Sequence, residues 1–293
     1  MRNAALLALV FALAAVPTTA RQDLIVDVNL RVLDVFVEDE HGSAALDLSP
    51  EDFVVVENGQ VRPVKHLSLE KHPAAIGLLV DRSSSIAPVK NMLDQAVIHV
   101  LKAIEPADPV FLMTFASSGK LNVAWTTSYL PIVEAIKKAK LGIGSRVYDA
   151  ISNSLEYLSA NPLERRSLIL FSDGADHYSN QTIEQVIAAA KSNRISVSVL
   201  GYVGNDSRSW SDSSRREIRT QLEHLARMTG GNAFFPDNQT DCSRAARQIL
   251  DRAHFEYRIG FYSSEPFAEV SDLQVKLRDK SARVSIRKSR RIS

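Results

Sequence analysis

A single cysteine, Cys242, in 293 residues leaves the chain without an intramolecular disulfide in any compartment. Cys242 shares a helical spacing with Ala245, Ala246, Ile249 and Ala253, so it reads as a small buried hydrophobe. It also stands far from the leader, after which a lipid-attachment cysteine would have to follow. Net charge is lacking too. The formal value is +1 and becomes 0 without residues 1–20, whose only charged side chain is Arg2, so nothing pulls the chain generally toward nucleic acid. Gly-x-Ser-x-Gly, His-Glu-x-x-His and P-loop sequences are absent, and the seven histidines have no metal-ligand spacing. Gly142-Ile143-Gly144-Ser145 lacks the third glycine of a dinucleotide loop and follows a lysine-rich helical stretch instead of a strand.

Long apolar runs are confined to the N-terminus. Arg2, the apolar residues 4–15 and the small Thr18-Thr19-Ala20 predict a secretory signal peptide cleaved near Ala20. The run is short for a membrane span, and Pro17 breaks it. No second run of about 18 apolar residues follows, so the mature chain is expected to be soluble, either secreted or in the periplasm or cell envelope. With 45% hydrophobic and 24% charged residues, it has a globular composition.

Residues 24–70 carry β pattern. Apolar and polar residues alternate over much of 24–37, a turn follows at 38–42, and strands at 53–57 and 61–69 flank Asn58-Gly59, which tolerates the positive φ of a type I′ hairpin. From residue 74, strands and helices alternate. Strands are expected at 76–80, 110–115, 167–171, 195–200 and 233–235, with an edge hairpin strand at 121–125. Helices are expected at 86–104, 129–140, 145–158, 182–191 and 240–253, and another carrying Ile218, Leu222, Leu225 and Met228 closes on Gly230-Gly231. This pattern predicts an α/β fold, a doubly wound, mainly parallel sheet with one antiparallel edge strand, over 73–253. Strands at 255–262, 273–277 and 282–286 return to β pattern, the last two joined through Arg278-Asp-Lys-Ser281. Neither terminal β segment buries a good core alone. The segments 21–72 and 254–293 are therefore expected to pair as one small β-domain with the α/β domain inserted between them.

Ligands in open α/β sheets sit outside the carboxyl ends of the strands. Asp81, Ser83 and Ser85 follow the strand at 76–80, Ser145 opens a helix, and Asp173-Gly174 follows the strand at 167–171, so all converge at one edge. Two carboxylates and three hydroxyls are hard oxygen donors suited to Mg²⁺, Mn²⁺ or Ca²⁺. Taken singly, each piece has a plainer reading. The serines can cap the following helix, where Pro88 fits a first turn, and Asp173-Gly174 is a turn sequence.

In this order the residues resemble those of the von Willebrand factor type A domains, whose metal-ion-dependent adhesion site runs Asp-x-Ser-x-Ser, a later Thr, and an Asp usually followed by Gly. The matching positions are Asp81, Ser83, Ser85, Ser145 in the threonine place, and Asp173. The likeness is closer to exported bacterial proteins containing such a domain, through Pro50-Glu-Asp-Phe53 with Glu57-Asn-Gly59, Tyr148-Asp-Ala150, Phe171-Ser-Asp-Gly174, Thr229-Gly-Gly231 with Phe234-Phe-Pro236, and Tyr257-Arg-Ile-Gly-Phe-Tyr262. The resemblance implies adhesion or assembly by metal bridging, with Mg²⁺ the first choice. It makes Asp81, Ser83 and Ser85 ligands, Ser145 a direct or conformation-dependent one, and Asp173 a direct or water-mediated one. An acidic side chain of a protein partner then fills the open coordination position.

Three departures from that pattern stand out. Ser145 keeps the hydroxyl but loses the methyl that stiffens χ1, Ser84 stands where Gly is common, and Arg82 puts a cation in the loop. Arg82 either faces the ion and weakens it or faces away to meet the acidic partner. Asp176 and His177 extend the metal edge or contact a ligand, His177 then helping to bind the partner, or else belong to a solvated loop. Trp210 is either a binding anchor on the same edge or folds back on its own domain. The run Arg287-Lys-Ser-Arg-Arg291 reads as a solvated tail, with an anionic-surface patch as the alternative. The functional expectation is a secreted, noncatalytic, metal-dependent protein-binding module. The alternatives are an envelope protein whose ion only stiffens loops, and a hydrolase built on Asp81 and Asp173, for which the sequence offers no general-base constellation.

Overall fold

The computed structural model describes residues 30–203, 211–263, 272–278 and 282–292, the last six of these by backbone alone. The expected signal peptide lies outside the described residues. In chain order the strands and helices are β1 Leu30–Glu38, β2 Phe53–Glu57, β3 Gln60–Arg62, β4 Val64–Lys71, β5 Ala75–Asp81, α1 Lys90–Ala103, β6 Val110–Phe115, β7 Gly119–Thr126, α2 Leu130–Lys138, α3 Val147–Ser159, β8 Arg166–Ser172, α4 Ile183–Ser192, β9 Ile195–Gly201, α5 Asp212–Thr229, β10 Ala233–Phe234, α6 Gln239–His254, β11 Phe255–Tyr262, β12 Leu273–Leu277 and β13 Arg283–Ile292.

The short apolar runs form one sheet in the order β10-β9-β8-β5-β6-β7, parallel throughout except for β7. Every residue of β5 is buried, because helices cover both faces. On one side α1, α2 and α6 pack through Leu93, Val97, Ile136 and Ile249, and on the other α3, α4 and α5 pack through Ile151, Leu155, Val186 and Leu225. Gly230 ends α5 at φ 80, the left-handed cap that its sequence predicts. Cys242 is buried on α6, as expected, with the Tyr202 hydroxyl 3.2 Å from its sulfur.

The terminal segments also meet. A four-stranded antiparallel sheet runs β13-β1-β11-β4, and β12-β2-β3 form a second, smaller one. Asn58 and Gly59 take φ values of 48 and 78 in the β2 to β3 turn, as an Asn-Gly hairpin requires. The pairing differs from expectation in three places. Residues 61–69 do not form one strand, because Pro63 offers no N–H to a ladder; β3 stays with β2, whereas β4 pairs with β11. β12 and β13 belong to different sheets, β12 on β2 and β13 on β1. The basic run at 287–291 is not a free tail, since its backbone continues β13 alongside β1. No helix among the described residues is long and apolar enough to cross a membrane.

Candidate metal centre

β5 and β8 lie side by side in parallel, so Asp81 and Ser172-Asp173 emerge together at their carboxyl ends. Asp81 is fully buried. Its Oδ1 accepts the Ser83 N–H at 2.7 Å, and its Oδ2 accepts the Ser172 hydroxyl at 2.6 Å. The Ser83 and Ser85 hydroxyls are 2.9 Å apart. The helix expected from residue 86 begins instead as a 3-10 turn over Ser84–Val89, and α1 starts after it. Pro88 cannot supply an α-helical N–H and would clash with the turn before it.

Ser145 does not open a helix. α3 starts at Val147, and its first N–H is capped from another loop, where Asp176 Oδ1 accepts the Val147 N–H at 2.7 Å. That arrangement leaves Ser145 on the loop, its carbonyl accepting the His177 N–H at 3.1 Å. Gly144 and Gly174 take φ of 78 and 79, the region that favours glycine, where each loop bends toward the common edge. Residues Ser83 and Gly142 form a parallel bridge, and the Gly142 N–H donates to the Arg82 carbonyl at 2.7 Å. The expected five residues are thus carried on three loops fastened to one another.

The electrostatics are strained in one direction. Burial, then the neighbouring charge of Asp173, raises the Asp81 pKa from 3.8 to about 6, against the pull of the Ser172 and Ser83 bonds. Burial also raises Asp173, while bonds from Ser85 and from the Ala175 N–H oppose it. The Ser145 hydroxyl is buried with no hydrogen-bond partner. Two buried carboxylates, both raised by burial and one of them also by the other's charge, together with an orphaned buried oxygen, are a donor set that a hard divalent cation fits.

The other expected residues fall differently. Arg82 is 2% exposed, and its guanidinium donates to Asp94 Oδ1 on α1 at 2.6 Å and to the Asp81 carbonyl at 3.0 Å. It therefore faces α1, not a partner, because Asp94 offers a carboxylate that compensates its burial. Burial lowers its pKa and Asp94 opposes that. His177 is exposed on the rim, and its charge lowers Asp173. Trp210 lies outside the described residues.

Sequence reasoning missed the roles of Ser172, which orients Asp81, and of Asp176, which caps α3. Ser172 was visible as the hydroxyl beside Asp173. Nothing local marks Asp176 as a cap for a helix 29 residues away.

A second group of metal-capable side chains, Glu70, His72 and Glu256, lies at the opposite end of β5. Both carboxylates there already carry arginines, Arg258 on Glu70 and Arg165 on Glu256.

Fold and edge together define a doubly wound α/β domain that gathers carboxylates and hydroxyls where its strands end. The sequence profile of the von Willebrand factor type A domain (VWA) matches residues 75–248, more than half of the chain, and the chain belongs to that family. Domains of the family are generally protein-interaction modules.

Solved structures share the fold. A von Willebrand factor type A protein from Catenulispora acidiphila has a TM-score of 0.51 at 12% identity, over 89% of this chain and 73% of that one. Protein BatB from Bacteroides thetaiotaomicron gives 0.50 at 17% identity, over 61% of this chain and 98% of that one. An aerotolerance-related membrane protein from Bacteroides fragilis gives 0.49 at 18%, over 61% and 99%. No curated protein sequence matches the chain.

Proposed function

We propose that the mature chain is an exported, noncatalytic protein-binding module that holds a divalent cation, Mg²⁺ first and Mn²⁺ or Ca²⁺ next, at Asp81, Ser83, Ser85, Ser145 and Asp173. The ion supplies an incompletely coordinated positive centre. A Glu or Asp of the partner completes its shell, a strong oxygen contact that needs no large apolar interface. The observation that carries this reading is the unpartnered, buried Ser145 hydroxyl on a loop bonded to the loops of two buried carboxylates of raised pKa. The chain's own residues orient the donors: Ser172 fixes one oxygen of Asp81, and the bridge between Ser83 and Gly142 holds the serine loop against the Ser145 loop.

Calorimetric titration with Mg²⁺ and Mn²⁺ tests the site. Binding is expected for the native chain and lost in Asp81→Ala, and equal heats from both proteins would sink the proposal. Capture of a partner from an envelope extract is then expected only without chelator. Capture that ignores chelator would instead support the reading in which the ion merely stiffens the loops.

A further inference from the structure

Two large apolar side chains at the rim of the metal centre are held in solvent by the backbone around them. Ile143 is 86% exposed and Tyr178 is 63% exposed. Ile143 sits at the tip of a turn fastened on both sides, by the Gly142 N–H to the Arg82 carbonyl at 2.7 Å and by the Arg146 N–H to the Ala116 carbonyl at 3.0 Å. The turn cannot sink toward its neighbour either, since even a Cβ on Gly142 would stand 2.9 Å from the Ala116 Cβ. Tyr178 lies alongside. Its Cδ2 is 3.7 Å from where a Cβ on Gly144 would be, and its ring meets His177 edge-on with centroids 6.1 Å apart. The residues on either side of Tyr178 are tied down, His177 through its N–H to the Ser145 carbonyl and Ser179 through its hydroxyl to Asp176 at 2.5 Å. Tyr178 therefore lies against Gly144, the residue between Ile143 and Ser145 in the chain.

Single exposed apolar side chains are ordinary. Two held next to the same glycine at a polar edge are different, because their ordering cost is met before any partner arrives. Aromatic and aliphatic anchors ringed by polar groups are where binding energy concentrates.

We propose that Ile143 and Tyr178 are the apolar half of the partner-binding surface, so that the protein segment recognised carries Asp or Glu with a Leu, Ile, Val, Met or Phe side chain one or two positions away. This rests on the carboxylate reading above. Charge complementarity selects that occupant over a polyanion: the ion takes one anionic oxygen, and a nucleic acid or lipid surface would press further charge onto the uncharged pair.

The probes are short immobilised synthetic peptides with a central Glu flanked on both sides by Leu, Phe, Ser or Lys, presented to the full mature chain with Mn²⁺ or with chelator. Leu and Phe flanks are expected to raise metal-dependent retention about tenfold over Ser, the contribution of one partly buried apolar side chain. Ile143→Ser and Tyr178→Ser should each erode that preference while calorimetric metal uptake stays unchanged. Retention that depends on metal but not on the flanks overturns this inference and leaves the carboxylate reading standing. Retention indifferent to chelator, or none at all while metal still binds at Asp81, overturns both.

Discussion

Asp81 stores its proton for a physical reason that gives stability a sign. Its pKa is raised from 3.8 to about 6 by burial and by Asp173, so between those values the folded chain holds a proton that the unfolded chain has lost. Stability of the metal-free protein should therefore fall as pH rises through that window and level off above it. A divalent cation favours the carboxylate, so saturating Mg²⁺ should shrink the fall. Urea melts at about pH 4 and about pH 6.5, with chelator and with Mg²⁺, read this directly. Asp81→Asn is expected to flatten the slope, leaving the part that the raised Asp173 contributes, and to lose the effect of Mg²⁺, and stability rising across the window would contradict the assignment. Ser145 offers a second test with opposite signs. Removing its unpartnered hydroxyl in Ser145→Ala should leave metal-free stability unchanged or raise it by up to about 1 kcal/mol, whereas metal affinity falls. Ser145→Thr, which keeps the hydroxyl, should bind metal. A Ser145→Ala variant that is less stable without metal and binds metal normally would make the hydroxyl structural.

At the scale of elements, the loops are fixed by caps borrowed from elsewhere in the chain. Asp176 accepts the N–H groups of Val147 and Tyr148 at 2.7 and 3.4 Å and so caps α3 from the loop after β8. Asp176→Ala should destabilise the fold by about 1–2 kcal/mol, with Asp176→Asn recovering most of it. Thermal melts decide, and an unchanged midpoint for Asp176→Ala would remove the cap from the argument. This cap also marks where sequence stops being informative. The strands around the site were legible because burial on both faces demands unbroken apolar runs such as 76–80 and 167–171, and because ligands of such sheets follow strand ends. That the loops carrying Asp81, Ser83, Ser85, Ser145 and Asp173 meet at one edge could be read for the same reason. The direction of Arg82 could not, since it is decided by Asp94 on α1. Strand partners in the β sheets were equally hidden. Residues 61–69 follow the Asn58-Gly59 turn as one return strand would, and the lost N–H at Pro63 and the tertiary choice of β11 for β4 split them.

At the scale of the molecule, the α/β sheet and the terminal β sheet are joined by buried charge as well as by chain. Glu38 on β1 accepts Arg252 Nη1 from α6 at 2.8 Å, and the same guanidinium donates to the Gly230 carbonyl at 2.6 Å and to the Ser285 hydroxyl at 3.2 Å. Asp108 takes His254 at 2.8 Å and the Ala74 N–H at 2.9 Å, clamping the points where the chain enters β5 and leaves α6. Because β1 pairs with β11 across the whole inserted domain, the terminal sheet closes only when α6 delivers β11 to it. We therefore propose that the two parts unfold as one unit, with calorimetric and van't Hoff enthalpies equal in the native chain. Glu38→Ala leaves Arg252 buried without that carboxylate, a change worth about 3 kcal/mol or more when a buried pair is broken. Since the loss falls on the junction, the variant should melt in two steps, the terminal sheet first. A native chain that already melts in two steps would mean that the buried charges merely decorate a boundary between independent domains.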